Sequence, residues 1–483
     1  MFSKKDMKRL ADWLYEIPKV YRPDMRVPAR IYADEVLLEA TIRDRSLEQL
    51  VNTATLPGIV GYALAMPDIH QGYGFCIGGV AATRYPSGII SPGGVGYDIN
   101  CGVRLLISSL EAEEVKPHMD RLISALYSNV PSGVGKKGGI RLSPREMGEV
   151  LERGVIWAVE QDYGTKRDLE RIEERGGMAG ARAGAVSPRA KERGKNQLGT
   201  LGSGNHFLEV EEVVEVYDEK VAERFGLFRG QLAVQVHSGS RGLGHQVCTD
   251  YVKSLQRAVS KYGIQLPDRQ LVCAPLDSSE GQNYFAAMAC AANYAWTNRQ
   301  CLTHLVRRTF EQVLAGKVKD WDLTTVYDVA HNIAKIEEYE IDGQRTKVCV
   351  HRKGATRAFG PGAKELPEIY RDVGQPVLVP GDMGTASYVL VGTEEAMRVS
   401  FGSTCHGAGR VLSRRAAKRK IRGSKLREEL EARGIAIRAG SMAGLAEEAP
   451  EAYKDIDRVV DVVHRADLAR KVARLEPLAV MKG

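Results

Sequence analysis

The chain has 483 residues, 43% hydrophobic and 27% charged, with a formal net charge of +7. Such a chain buries a large core, and its modest basic excess suits a polyanionic partner. The opening Met1-Phe2-Ser3-Lys4-Lys5 has no apolar stretch of signal-peptide length, and no apolar run reaches ~18 residues, so secretion and membrane spanning are not expected.

In chain order, residues 57–107 read as loops and short strands (61–66, 77–83 and 103–110), punctuated by Pro and Gly. Residues 111–180 read as helical, with apolar periodicity over 119–127 and 147–159. The Arg-, Lys-, Gly- and Ala-rich residues 165–195 read as an exposed helix or a mobile basic loop. Strand patterns return at 205–217, 232–237 and 324–329, with a long Ala-rich helix over about 283–314 between the last two. Further short strands are expected at 347–351, 375–379 and 388–391. A basic helix is expected over 410–433, ended by Gly434, and a last helix over 461–474 leading into 477–483. Strands and helices interleave without a regular βαβ period, which favours an α+β fold of mixed or antiparallel sheets with surrounding helices. No Pro- or Ser-rich linker divides the chain, so one large domain over 1–483 is expected, with a helical basic excursion around 111–195.

The eight cysteines form no C-x-x-C pair, which excludes a zinc ribbon or thioredoxin-type site. They are expected to be reduced and buried in a cytoplasmic protein. The loop Ser91-Pro92-Gly93-Gly94-Val95-Gly96-Tyr97-Asp98-Ile99-Asn100-Cys101-Gly102 sets a carboxylate and a thiol three residues apart. Hard and soft donors together suit a transition metal; the plain alternative is a capped turn with a buried cysteine. His206, His237 and His331 lie at strand ends beside small or polar residues, where a rigid strand can present a ligand. With Asp98 and Cys101 they could hold two ions ~3.5–4 Å apart, although sequence alone does not show that they converge.

A second segment, Ser403-Thr404-Cys405-His406-Gly407-Ala408-Gly409-Arg410, places an imidazole in a Gly-rich turn at the start of the expected basic helix. Backbone N–H groups there suit phosphate, and His406 could serve as base or nucleophile. From Arg410 to Arg427 there are nine basic residues and no acidic one, a solvated face or a nucleic-acid track. There is no G-x-x-x-x-G-K-[ST] loop. Nor is there a K-x-D-G nucleotidylation motif: in Glu340-Ile341-Asp342-Gly343 a glutamate stands where the lysine would be.

These segments resemble the RtcB-type RNA-splicing ligases. The resemblance runs from about Ala63 to Gly483. It rests on Met66-Pro67-Asp68-Ile69-His70-Gln71-Gly72, the loop through Cys101, Gly199-Thr200-Leu201-Gly202-Ser203-Gly204-Asn205-His206-Phe207 and His237-Ser238-Gly239-Ser240-Arg241. Pro380-Gly381-Asp382-Met383-Gly384-Thr385, His406-Gly407-Ala408-Gly409-Arg410 and Met481-Lys482-Gly483 complete it. The resemblance implies a single α+β unit and GTP-dependent joining of RNA 3′-phosphate or 2′,3′-cyclic phosphate ends to 5′-hydroxyl ends.

It further implies that Asp98, Cys101, His206, His237 and His331 bind two Mn2+ ions, with Cys101 bridging, and that His406 takes GMP from GTP. GTP contacts are implied for Asn205, His206, Phe207, Leu208, Glu209, His331, Asn332, Pro380, Gly381, Asp382, Met383 and Ser387. They are implied also for His406, Gly407, Ala408, Gly409, Tyr453 and Lys482. Some family members carry a small hydroxyl residue where Asp382 stands, so backbone could make that contact. Arg241, Lys353, Arg410 and Arg414 are expected to hold RNA phosphates, with tRNA halves or broken RNA ends as substrates and archease as an activator known in part of the family. The residues read alone also fit a dinuclear metal phosphoesterase acting on RNA ends, or a basic RNA-binding protein with a structural metal.

Overall fold

The computed structural model describes residues 2–483. Two sheets, both predominantly antiparallel, carry the architecture. The first has seven strands in the order Lys8–Ala11, Leu14–Ile17, Ala29–Tyr32, Ile59–His70, Ile77–Arg84, Gln344–Lys353, Asn332–Ile341. The second runs Thr324–Ala330, Gly102–Glu111, Gln231–Ser238, Phe207–Val216, Ala469–Lys482, Ser387–Gly392, Pro376–Val379. Ala436–Ala439 adds to it, parallel to the Ala469–Lys482 strand. This is the mixed, antiparallel-dominated α+β architecture expected from the interleaving of elements.

The two sheets meet where the chain passes directly between them. Thr324–Ala330 belongs to the second sheet, His331 is the junction, and Asn332 opens a strand of the first. A small ladder, Ala355–Arg357 with Ser403–Cys405, brings His406 to the same place. Behind the junction runs the Ser279–Leu314 helix, 36 residues long and capped by Ser278. Its middle is wholly buried, and Asn293, Asn298, Arg299 and Gln300 are among the buried side chains. A buried polar stretch on a central helix implies that other elements supply its hydrogen-bond partners.

Several elements differ from the sequence expectation. The basic stretch is two helices, Arg414–Lys420 and Gly423–Ala432, because Ile421 is extended and Gly423 packs against the Met442 backbone where a Cβ would not fit. Arg410 is therefore outside any helix and bridges to Tyr453. The last helix is Ile456–Arg465, and 469–482 is a strand: a left-handed Asp467 reverses the chain, and Val472, Leu475 and Val480 enter the core. Residues 165–195 are not a free loop. Asp168 pairs with Arg307 at 2.7 Å and Glu173 with Lys335 at 2.5 Å, both acids buried. The Arg241–Lys261 helix and the three N-terminal strands have no counterpart in the sequence reading. All eight cysteines are buried and free. Among the described residues, no helix is long and apolar enough to cross a membrane.

Candidate active site

Strand register explains how residues spread over hundreds of positions meet. In the second sheet Gly102 pairs with Ser238 on one side and Ala330 on the other, and Phe207 pairs with His237 and Lys482. Cys101, His206, His237 and His331 thus stand at the same end of four adjacent strands. The His331 N–H donates to the Cys101 carbonyl at 2.8 Å, closing that end.

Side chains converge accordingly. Cys101 Sγ lies 3.1 Å from His237 Nε2 and 3.5 Å from His206 Nε2, and His206 Nε2 lies 2.8 Å from Asp98 Oδ2. Donor atoms of Asp98, Cys101 and His206 all fall within 4.8 Å of one another. His331 extends the group, its ring centroid 5.3 Å from that of His237. The Gly239 backbone is so close to Asp98 that a Cβ there would lie 2.2 Å from Oδ1. The Ser240 N–H donates to that oxygen at 3.0 Å.

The donor set fits a transition-metal centre. His331 Nε2 is buried without a hydrogen-bond partner, an arrangement that costs free energy unless a ligand is bound. Burial pushes the Cys101 thiol well above its usual range, with the nearby Asp98 charge adding to it, so metal binding must displace a proton. Burial also lowers His206, His237 and His331, leaving neutral imidazoles of the kind metals bind. Burial opposes ionisation of Asp98, but its hydrogen bond to His206 and the charge of Arg241 outweigh it and hold the carboxyl at about 2.

Buried Arg299 braces this end of the sheet. Its guanidinium donates to the Asn100 carbonyl and to the Ser238 carbonyl, each at 2.8 Å, and to Asn100 Oδ1 at 3.0 Å. It also forks onto Asp328, which Arg104 holds from the other side at 2.8 Å. One side chain therefore ties together the backbones next to Cys101 and His237 and the strand that leads to His331. Asn100 sits at φ 52, a left-handed conformation that this clamp supports.

His406 faces the cluster, its ring centroid 5.2 Å from that of His331. Asp68, fully buried, accepts from both the His406 backbone N–H at 3.0 Å and Nδ1 at 2.5 Å. In the neutral ring this contact places the proton on Nδ1 and leaves the lone pair on Nε2. Gly409, at φ +76, lets the following turn lie on Asp68, since a Cβ there would sit 2.2 Å from the Asp68 carbonyl oxygen. Asp68 stands in the Met66–Gly72 motif, where sequence alone assigns it no role. The available signal was an acid set among apolar residues two positions before a histidine.

A cleft of ≈ 350 Å³ opens over His406 and the cluster. Asn205, Phe207, Glu209, Asn332, Pro380, Gly381, Asp382, Met383 and Gly407 to Arg410 line it, with Arg414, Tyr453 and Lys482. Leu208 and Ser387 do not: Leu208 packs into the core on the other face of its strand, and Ser387 Oγ accepts from the Gly381 N–H at 3.4 Å. Tyr453 donates to buried Glu448, a residue sequence reasoning missed because no motif surrounds it, and Arg410 donates to both from 3.0 Å. The Gly-rich turn is followed by extended Arg410, so it is not the helix N-terminus expected from sequence.

Of the expected phosphate holders, Arg241 lies 3.3 Å from His206 Nδ1, and Arg414 is about half exposed beside Glu447 at 3.1 Å. Lys353 is buried, its ammonium donating to the Phe75 carbonyl at 3.2 Å, to Gly93 at 3.1 Å and to Tyr73. It braces the glycine loop from below.

The family model described as tRNA-splicing ligase RtcB matches residues 49–483. The chain belongs to this family. Relatives named tRNA-splicing ligase RtcB include one from Archaeoglobus fulgidus, 60% identical over 477 residues, covering 99% of each chain. Another from Thermococcus kodakarensis is 58% identical over 477 residues, again covering 99% of each. One from Methanococcus maripaludis is 53% identical over 480 residues, covering 99% of this chain and all of the relative. The family's description is that of an enzyme of the ligase class acting on RNA, and the cleft with its donor cluster lies wholly within the matched residues.

Proposed function

We propose that this chain is an RNA ligase that joins 3′-phosphate or 2′,3′-cyclic phosphate ends to 5′-hydroxyl ends, as in tRNA splicing and RNA repair. In this reading GMP is carried on His406, and 1–483 acts as one catalytic unit. The observation that carries it is the His406 imidazole, held by Asp68 through Nδ1, at 5.2 Å between ring centroids from the His331 edge of the donor cluster. An imidazole so held is a nucleophile without prior loss of a proton, unlike a lysine.

Asp98, Cys101, His206, His237 and His331 would hold two Mn2+ ions, which supply Lewis acidity toward phosphoryl oxygens when bound. Nε2 of His406 attacks the α-phosphorus of GTP, a P–N bond forms and pyrophosphate leaves. Water opens a cyclic end to a 3′-phosphate. An oxygen of that phosphate attacks the guanylylated histidine, breaking the P–N bond and giving RNA capped as 3′-pp-G. The 5′-hydroxyl of the second strand attacks the capped 3′-phosphorus, loses its proton and displaces GMP, so the join keeps the phosphate of the 3′ end.

Asn205, His206, Phe207, Glu209, His331, Asn332, Pro380 to Met383, His406 to Gly409, Tyr453 and Lys482 would bind GTP, with the guanine toward Tyr453; Leu208 and Ser387, which do not line the cleft, would only support these contacts. Arg241, Arg410 and Arg414 would hold RNA phosphates, together with the exposed basic residues of 415–422, while Lys353 would act only by bracing the glycine loop. Binding should then weaken steeply with salt.

The test is a ligation assay with RNAs of defined ends. Joining of 3′-phosphate to 5′-hydroxyl strands that requires both GTP and Mn2+ is expected. Release of free 3′-phosphate ends without joining, independent of GTP, would replace this reading with a phosphoesterase.

A further inference from the structure

The cleft lining holds two chemically different sets of side chains. One is Tyr453, Asp382 and Lys482, which the proposed function uses. The other is Tyr73 and Tyr97, which it does not. Their rings meet edge to face with centroids 5.5 Å apart, and Tyr97 continues onto His245 at 5.0 Å. Both tyrosines are half-buried and His245 is exposed. One side of each tyrosine packs against the core, which accounts for its partial burial but not for its place along the cleft wall.

Tyr97 adjoins Asp98 in sequence, so the aromatic wall begins where the donor cluster ends. It is also rigid. The Gly96 N–H donates to the Pro92 carbonyl at 2.8 Å, and on the other side Asn332 Nδ2 donates to the Asp98 carbonyl at 3.0 Å. His245 projects from the Arg241–Lys261 helix, whose first residue lies beside His206. Exposed Arg193 donates to Gln246, next to His245, at 3.0 Å. Aromatic faces with cations at their rim, held on stiff backbone, are the chemistry that binds nucleobases without reading sequence.

We propose that Tyr73, Tyr97 and His245 form a stacking platform for the nucleobase of the RNA nucleotide next to the reacting phosphate. The inference rests on the ligase reading. It adds a base-binding subsite built from residues other than the proposed guanine contacts. The stacked base belongs to either the 3′-phosphate strand or the 5′-hydroxyl strand, and the same chemistry serves both.

The experiment uses full-length protein with Mn2+ and two sets of short RNAs, carrying 2-aminopurine or an abasic site at the 3′-terminal or the 5′-terminal nucleotide. Wild type should quench 2-aminopurine at one of the two positions, and an abasic site there should raise KM. Stacking is worth ~1–3 kcal/mol per base, so the rise should be about 5- to 150-fold. Tyr97→Leu combined with Tyr73→Leu should lose the quench, show the same rise with normal RNA and no longer respond to the abasic site. Tyr97→Phe should keep the wild-type behaviour, and His245→Ala should show a smaller loss.

Self-guanylylation with GTP alone needs no RNA and should match wild type in every variant, which also reports intact folding. Equal quench and KM in wild type and the double variant, or damage by Tyr97→Phe equal to that by Tyr97→Leu, would overturn the platform. If wild type itself joins no ends, the ligase reading fails separately, and the 2-aminopurine titration still reads base binding.

Discussion

Asp68 gives the sharpest single perturbation. Its one oxygen accepts two N–H groups of His406, from the backbone at 3.0 Å and from Nδ1 at 2.5 Å, in a fully buried setting. A hydrogen bond to a charged group is worth ~1.5–3 kcal/mol net, and at ~1.4 kcal/mol per tenfold the Nδ1 bond alone is worth about 10- to 150-fold in rate. Asp68→Ala removes it, frees the imidazole to rotate and lets the proton move to Nε2, so guanylylation of His406 should slow by at least that factor. Asp68→Asn keeps an acceptor oxygen at the same site and loses only the charge assistance, about 1 kcal/mol, or roughly fivefold to tenfold. The assay is single-turnover labelling with GTP carrying label at the α-phosphate, at saturating nucleotide and metal. An alanine variant within twofold of wild type, or an asparagine variant slower than the alanine one, would refute the positioning argument.

Arg299→Met should lower the melting temperature, since breaking a buried ion pair costs about 3–5 kcal/mol. It should also weaken Mn2+ binding in equilibrium dialysis, because Asn100 and Ser238 lose the donor that holds them beside Cys101 and His237; unchanged metal affinity would confine Arg299 to general stability. Cys101→Ala should reduce bound Mn2+ and abolish labelling, and with Co2+ it should lack a thiolate charge-transfer band; normal stoichiometry would remove Cys101 from the centre. Burial raises Glu211 to about 8, so it is neutral in the fold and ionises only on unfolding above the usual carboxylate range. Stability should therefore fall as pH rises from that range toward about 8, and Glu211→Gln should flatten the fall, with its largest gain in melting temperature at the alkaline end. A parallel pH dependence in the variant would contradict this.

The candidate donors were legible by type and position. Asp98 and Cys101 share a glycine-flanked loop, and His206, His237 and His331 sit at strand ends. Their convergence was not legible, because it follows from register: Gly102 opposite both Ser238 and Ala330, and Phe207 opposite His237, are long-range pairings that local pattern does not encode. Asp68 escaped assignment for the same reason, since its partner lies 338 residues away. Gly423-Ser424 marks the break at Ile421–Arg422 only weakly, since a lone glycine is tolerated within a helix; the close approach of Gly423 to the Met442 backbone is what accounts for it. The tail misled because its strand is irregular: Arg470 and Glu476 are exposed while the adjacent Val472 and Ala473 are both buried, and register shifts against both neighbouring strands break the period-two pattern. Residues 165–195 look solvated by composition, yet the buried acids Asp168 and Glu173 find cations on distant elements.

The central claim is that His406 carries the guanylyl group. Wild-type protein incubated with Mn2+ and α-labelled GTP, then denatured, should retain label through alkali and lose it in acid, as a histidine phosphoramidate does, while His406→Ala should retain none. Equal labelling of His406→Ala, or label on the wild type that survives acid, would contradict the account.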